Sequence, residues 1–236
     1  MSYRIIYEPK TIHDLVWPDI QLETQIKGMC SNKLLTVSIL LHGPSGTGKT
    51  CLAKLIARTI WGNQTASNLP EYGPTEYQAL KSGLCGQIKN DINLQLTISG
   101  VSRPVVLLNE IELYDKPKLI TELYDWLLSR KINCVWVATT NDVHNVNSAL
   151  KSRLRPILWD YRLSTFDQNV ALFVPRVLAV CQQELTAQQL PSAEQVQAGL
   201  VWMMQHTPEI DARRIMDGTE AIVALRKGLI SSLYQV

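Results

Sequence analysis

The chain lacks the runs, charge excess and ligand spacings that define several functional classes. Its longest apolar stretches, such as Val105 to Leu108, fall far short of the roughly 20 residues of a membrane helix. The opening Met1-Ser-Tyr-Arg4 has no apolar core, so no secretory signal is expected. With 23 Lys+Arg against 21 Asp+Glu, the chain is not a strongly basic polyanion binder, although a local patch would still suit nucleic acid. Cys30, Cys51, Cys85, Cys134 and Cys181 are odd in number and never form CxxC, and His13, His42, His144 and His206 are scattered. Neither set has metal-ligand or disulfide spacing, and a reducing, cytoplasmic setting with no membrane partner is expected. No repeat or low-complexity tract is present. At 46% hydrophobic residues over 236 positions, the composition excludes disorder and suffices for one or two cores.

What is present is a pattern of strands alternating with helices. Thr36 to His42, Val105 to Leu108, Cys134 to Ala138 and Leu154 to Leu158 read as strands. Thr50 to Ile60 has a helical face of Leu52, Leu55, Ile56 and Thr59, and Leu119 to Leu127 has another. Residues 62–74 read as loop, with room for a short strand that the pattern does not place. A further helix is expected from Glu76 to Leu94. Alternation of this kind predicts an α/β fold with a parallel sheet covered by helices on both faces. After Leu163 only helical patterns follow: Phe166 to Gln182, Ser192 to Met204, and Asp211 onward. Ser164 with Asp167 resembles a helix start, and Pro175 should kink or split the first helix. The expected division is an α/β nucleotide-binding domain over 1–162 and a small helical lid over 163–236.

Between the first strand and its helix stands Gly43-Pro44-Ser45-Gly46-Thr47-Gly48-Lys49-Thr50. This fits the G-x-x-x-x-G-K-[ST] phosphate loop in full and in its proper strand-to-helix context. Glycines let backbone N–H groups wrap phosphates, Lys49 would reach the terminal phosphates, and the Thr50 hydroxyl would hold Mg²⁺. ATP and Mg²⁺ are therefore the expected cofactors. Val105-Val-Leu-Leu-Asn109-Glu110 supplies the acidic strand end that such a loop needs.

With these residues the chain resembles the AAA+ ATPases, in which four apolar residues precede Asp-Glu. The resemblance implies that Glu110 polarises the attacking water and that Asn109 stands on the metal side in place of Asp. Glu112 or Asp115 are nearby acids able to supply the missing charge. Val135-Trp-Val-Ala-Thr-Thr-Asn141 resembles the sensor-1 strand, with Asn141 directed at the γ-phosphate or the nucleophilic water. Leu150-Lys-Ser-Arg153-Leu-Arg155 resembles the Ser-Arg-Cys segment of clamp-loader small subunits. It implies an arginine finger at Arg153, with Arg155 the second candidate and a solvated surface arginine the plainer alternative. Ile210-Asp-Ala-Arg213 resembles the start of the sensor-2 helix, which makes Arg213 the lid-side sensor. Tyr7-Glu-Pro-Lys-Thr-Ile12-His-Asp-Leu-Val16 resembles the clamp-loader opening, in which Ile12 and Val16 would wall the adenine.

The resemblance implies self-assembly, as a homo- or hetero-oligomer in a ring or filament, through composite ATP sites, with DNA or a DNA-associated protein as client. Clamp loaders also carry a collar domain, for which no counterpart is expected in the residues up to the lid. Two other readings stay open. A protein-remodelling ATPase would want an aromatic pore loop, for which Tyr72-Gly73 lies in the right region. A low-turnover, nucleotide-dependent assembly subunit would follow from Asn109. On the DNA side, Lys81 and Lys89 lie about 80° apart around their expected helix.

Overall fold

The computed structural model describes residues 2–31, 38–61, 70–75, 83–98, 104–114, 125, 134–161, 165–204 and 211–230. These fall into two compact units. One comprises Thr24–Pro44 and Lys49–Trp159; the other comprises Met1–Glu23, Ser45–Gly48 and Asp160–Val236.

The first unit is the sheet unit. In chain order its elements are α2 (Ile20–Ser31, whose first turn belongs to the other unit), β1 (Ile39–His42), α3 (Lys49–Trp61), β2 (Glu71–Tyr72), α4 (Leu84–Ile98), β3 (Val105–Leu108), a 3₁₀ turn (Ile111–Leu113), β4 (Val135–Thr140), α5 (Ser148–Lys151) and β5 (Arg155–Leu158). The strands form one parallel sheet in the order β2-β3-β4-β1-β5. The α/β parallel sheet expected from the alternation is thus the fold observed. β2 is the short strand that the 62–74 loop left unplaced. Thr36, Val37, Lys81, Asp115 and, Asp125 apart, the expected helix at 119–127 lie outside the described residues.

The sheet is buried on both faces. Leu40, Val106, Leu108, Trp136 and Ala138 pack with Leu84, Ile88 and Ile92 of α4. Alternate residues Ile39, Leu41, Val105, Leu107 and Val137 are equally buried and lie on the opposite face, where α3 packs against β1, β3 and β4. The α3 face follows the expected spacing, since Leu52, Leu55 and Ile56 are buried. Each such side chain contributes about 1.5–3 kcal/mol by leaving water. β4 runs two residues beyond its apolar stretch because Thr139 and Thr140 are themselves buried. At the edge, β5 donates Arg155 N–H to Ser38 O (2.8 Å), and Trp159 N–H follows to His42 O (2.7 Å). The N–H groups of 155, 157 and 159 therefore face β1, and position 156, whose amide would face outward, is proline.

The second unit is helical: α1 (Tyr3–Ile6), α6 (Phe166–Ala171), α7 (Val174–Glu184), α8 (Ala193–Met204) and α9 (Ala212–Arg226). The expected helix at 166–182 is split as Pro175 predicted, with the proline in the first turn of α7. The cap of α6 is one residue later than expected. Thr165 and Gln168 form a capping box, each side chain bonding the other's backbone N–H. The N-terminal segment is fastened by Tyr7, whose hydroxyl donates to Glu184 (2.6 Å), and by Arg176, which donates to Tyr7 O (2.9 Å). Lys227 also donates to Glu184 (2.7 Å). These contacts, Lys227 first, hold the Glu184 carboxyl down at about 2.

Candidate functional site

β1 delivers the chain to Gly43, and α3 takes it up again at Lys49. Gly43, Gly46 and Gly48 all have positive φ (147°, 78° and 93°), a backbone that side chains rarely adopt. A Cβ on Gly43 would lie 2.2 Å from Trp159 O, so this turn admits only glycine. The tip, Ser45 to Gly48, groups with the helical unit. There Gly46 O accepts from Ala212 N–H (3.0 Å), and the Asp211 carboxylate fills the space that a Gly46 side chain would need. Asp211 is also the N-cap of α9, accepting from Arg213 N–H (2.7 Å).

Lys49 is only 6% exposed. Its ammonium donates to Gly43 O (2.9 Å), Pro44 O (2.6 Å) and Asn141 Oδ1 (2.9 Å). These three acceptors carry no formal charge, so a phosphate oxygen would bind the ammonium more strongly than any of them. Burial and then the Lys49 charge push the imidazole of His42, at the end of β1, below its ordinary value. Thr50 is half-buried in the first turn of α3.

Beside the loop, the end of β3 meets the end of β4. Asn109 is buried, with Nδ2 donating to Glu71 Oε1 (2.6 Å) and Oδ1 accepting from the Thr139 hydroxyl (3.3 Å). Glu71 also pairs with Lys54 (2.9 Å). Glu110 is the only described non-glycine residue with positive φ (53°). Its N–H donates to Thr139 Oγ1 (3.1 Å). A left-handed glutamate costs about 1–3 kcal/mol, and such strain gathers at working sites. Glu112 Oε1 accepts from Asn141 N–H (2.8 Å), while its other oxygen is buried with no hydrogen-bond partner among the described residues.

The structure thus gathers Lys49, Asn141, Asn109 and Glu110 at the C-terminal ends of β1, β3 and β4, linked by Thr139 and Glu112. Arg153 lies in the same unit, half-buried, donating to Ala149 O (2.8 Å) and to Asp125 (2.9 Å). Arg155 is exposed on β5. In the helical unit Ile12 is buried, Val16 is half-buried with its carbonyl accepting from the Tyr161 hydroxyl (2.8 Å), and Arg213 is exposed. Glu71 was missed by sequence reasoning because its short strand is set only by pairing with β3. Of the two acids proposed near Asn109, Glu112 is engaged at Asn141, and Asp115 lies outside the described residues. Tyr72 is buried, and its hydroxyl bonds Asp91, so it presents no aromatic ring to a pore.

The residues fit a nucleoside triphosphate with its metal. The positive-φ glycine turns suit a phosphate cradle, Lys49 donates to three neutral oxygens that a phosphate could replace, and Thr50 and Asn109 each carry a neutral oxygen of the kind that would serve Mg²⁺ or its waters. Among the described residues no cluster of three or more His, Cys, Asp or Glu could hold a metal ion without help from substrate phosphates. No helix among them is long and apolar enough to cross a membrane.

Comparison with known proteins agrees with this geometry. The chain is 30% identical over 145 residues to the ORC1-type DNA replication protein 1 of Halobacterium salinarum, covering 55% of this chain and 46% of that protein. It therefore spans about half the length of that relative. Its fold is similar to the RuvB Holliday junction branch migration motor of Thermotoga maritima (TM-score 0.56, 16% identity, 92% of this chain and 72% of the other). It is also similar to the replication initiator DnaA bound to AMPPCP and single-stranded DNA (TM-score 0.62, 15% identity, 97% and 68%). Residues 39–159 match the ATPase family associated with various cellular activities. That match takes in the glycine loop, the β3 end and the β4 end together, and the chain belongs to the AAA family.

Proposed function

We propose that this chain binds and hydrolyses ATP with Mg²⁺, assembles through ATP sites shared between subunits, and acts on DNA or loads a DNA-associated factor in the manner of clamp loaders. The observation that carries the ATP reading is the buried Lys49 ammonium, held by three neutral oxygens at the mouth of the glycine loop. The Lys49 ammonium would give up those acceptors for a phosphate oxygen, and Asn141, now bonded to it, would be placed to sense the exchange. Glu110 orients the attacking water. Thr50 and Asn109 would hold Mg²⁺, which neutralises phosphate charge when bound. Arg153 serves a neighbour's nucleotide, Arg213 reads nucleotide from the lid over 163–236, and Ile12 and Val16 wall the base.

The DNA reading is supported by the replication relative and by the clamp-loader-like segments at Tyr7 to Val16 and at Arg153. Burial of Tyr72 weighs against a polypeptide-threading machine. The cysteines, odd in number and never in a CxxC pair, support a reducing, cytoplasmic setting. Titration of labelled ATP tests the core of the proposal. Lys49→Ala should weaken binding by ~10- to 100-fold, the worth of a hydrogen bond to a charged group. Unchanged affinity would show that the loop is no phosphate cradle. Anisotropy with duplex DNA tests the client: binding should require ATP and assembly, and should fall with rising salt.

A further inference from the structure

The acid that touches Asn109 comes from the neighbouring strand. β2 and β3 pair with Glu71 beside Leu107, so Glu71 lies on the same sheet face as Leu107 and Asn109. Asn109 N–H also donates to Tyr72 O (2.7 Å), which fixes the register at the site itself. Lys54, one turn beyond Thr50 on α3, holds the second oxygen of Glu71 (2.9 Å).

The hydrogen bonds all run toward Glu71. An ionised carboxylate only accepts, so the Asn109 amide must turn its NH₂ toward Glu71. Its carbonyl oxygen then faces the Thr139 hydroxyl. That hydroxyl spends its proton on Asn109 and accepts from the Glu110 N–H. Lys54, Glu71, Asn109, Thr139 and the Glu110 backbone thus form a relay with a donor and an acceptor at every link. Aspartate at position 109 would break it, because two carboxylates would meet at the 2.6 Å now spanned by a hydrogen bond.

We propose that Glu71 and Asn109 are a transposed pair: the carboxylate that the family carries at position 109 stands at position 71. Glu71 is a positioning residue, which aims the Asn109 carbonyl at the metal side and, through Thr139, steadies the left-handed backbone of Glu110. The metal part of this statement rests on the function proposed above; the pairing itself does not.

A four-protein cycle tests it: wild type, Asn109→Asp, Glu71→Gln and the double variant. Melting temperature is read without nucleotide, and the Mg²⁺ midpoint for binding labelled ATP is read separately. Asn109→Asp should lower the melting temperature by about 2–4 °C or more. Glu71→Gln should lower it less, and each should raise the Mg²⁺ midpoint by ~3- to 10-fold. The double variant rebuilds the relay with the amide at position 71 and the carboxylate at position 109, and should recover both readings. If Asn109→Asp alone does not fold, folding of the double is the expected rescue. If neither the Asn109→Asp protein nor the double variant folds, Glu71→Gln decides through its Mg²⁺ midpoint. Additive losses in the double would overturn the pairing. Recovery of melting with one Mg²⁺ midpoint throughout would overturn the positioning role. A wild type that binds no ATP would sink the proposed function, while the melting cycle still judged the pair.

Discussion

The two units use polar side chains differently. The sheet unit buries Lys49, Asn109, Thr139 and Thr140 where β1, β3 and β4 end. The helical unit also buries Thr47, Asn169 and Thr219, but several of its polar pairs lie near water: Arg4 with Asp217, Lys227 with Glu184, and Arg226 with Gln195. Of its buried polar residues, Thr219 bonds back to Ile215 O within its own helix (2.8 Å). Burying a polar group costs free energy unless partners replace water, so an interior that gathers several of them is shaped by more than stability. Surface pairs contribute little, typically ~0–1 kcal/mol. Substitutions at the strand ends should therefore alter ATP handling strongly, and substitutions among the surface pairs of the helical unit should alter stability weakly.

The sharpest challenge to this contrast is Arg153, which is half-buried yet set apart from the strand ends. As a finger acting on a neighbour, its loss should slow turnover by ~10³-fold. Mixing Arg153→Ala with Lys49→Ala subunits should restore activity, because some interfaces then pair an intact loop with an intact arginine. No recovery in mixtures shown to co-assemble would confine Arg153 to its bonds with Ala149 and Asp125. Next in size is Glu110→Gln, which keeps the shape and the backbone. It should retain ATP and slow turnover by ~10²-fold, read by comparing bound nucleotide with phosphate release. Equal losses of binding and turnover would assign Glu110 to the cradle. Asn141→Ala should cost ~10-fold in turnover, since its Oδ1 contact with the Lys49 ammonium disappears. An unchanged rate would leave β4 a purely structural strand.

The smallest effect belongs to the helical unit. Glu184→Gln should lower the melting temperature by no more than about 2–4 °C at neutral pH and leave ATP affinity alone. The folded carboxyl is held at about 2 against an ordinary 4.5, so its contribution is complete above about 4.5 and fades as pH falls toward 2. Melting curves of both proteins across that range should converge at the acid end. A shift in ATP affinity as large as that of Lys49→Ala would erase the distinction between the units.

Much of the sheet unit was legible because its signals are local. A glycine loop between a β-branched strand and an amphipathic helix states its own geometry, and four apolar residues before Asn109 state a buried strand. Glu71 was not legible, since no local pattern marks a two-residue strand and its meaning depends on a partner 38 positions away. The apolar pattern of β4 ends at Ala138, whereas the sensor-like segment through Asn141 already takes in Thr139 and Thr140, which are buried and hydrogen-bonded. The cap of α6 was displaced by one residue because Ser164-Thr165 offers two adjacent hydroxyls and only Gln168 selects between them.

The sheet also carries a safeguard against its own chemistry. An open parallel sheet leaves two margins on which a foreign strand could grow. Among the described residues, one margin is β2, which is too short to template an extended partner, and the other is β5, where Pro156 removes an outward-facing donor. Subunits packed closely around shared nucleotides would bring such margins together at high local concentration. With both blunted, crowding of that kind favours contacts through helices and loops, which can be undone when nucleotide leaves, over β-sheet fusion, which could not.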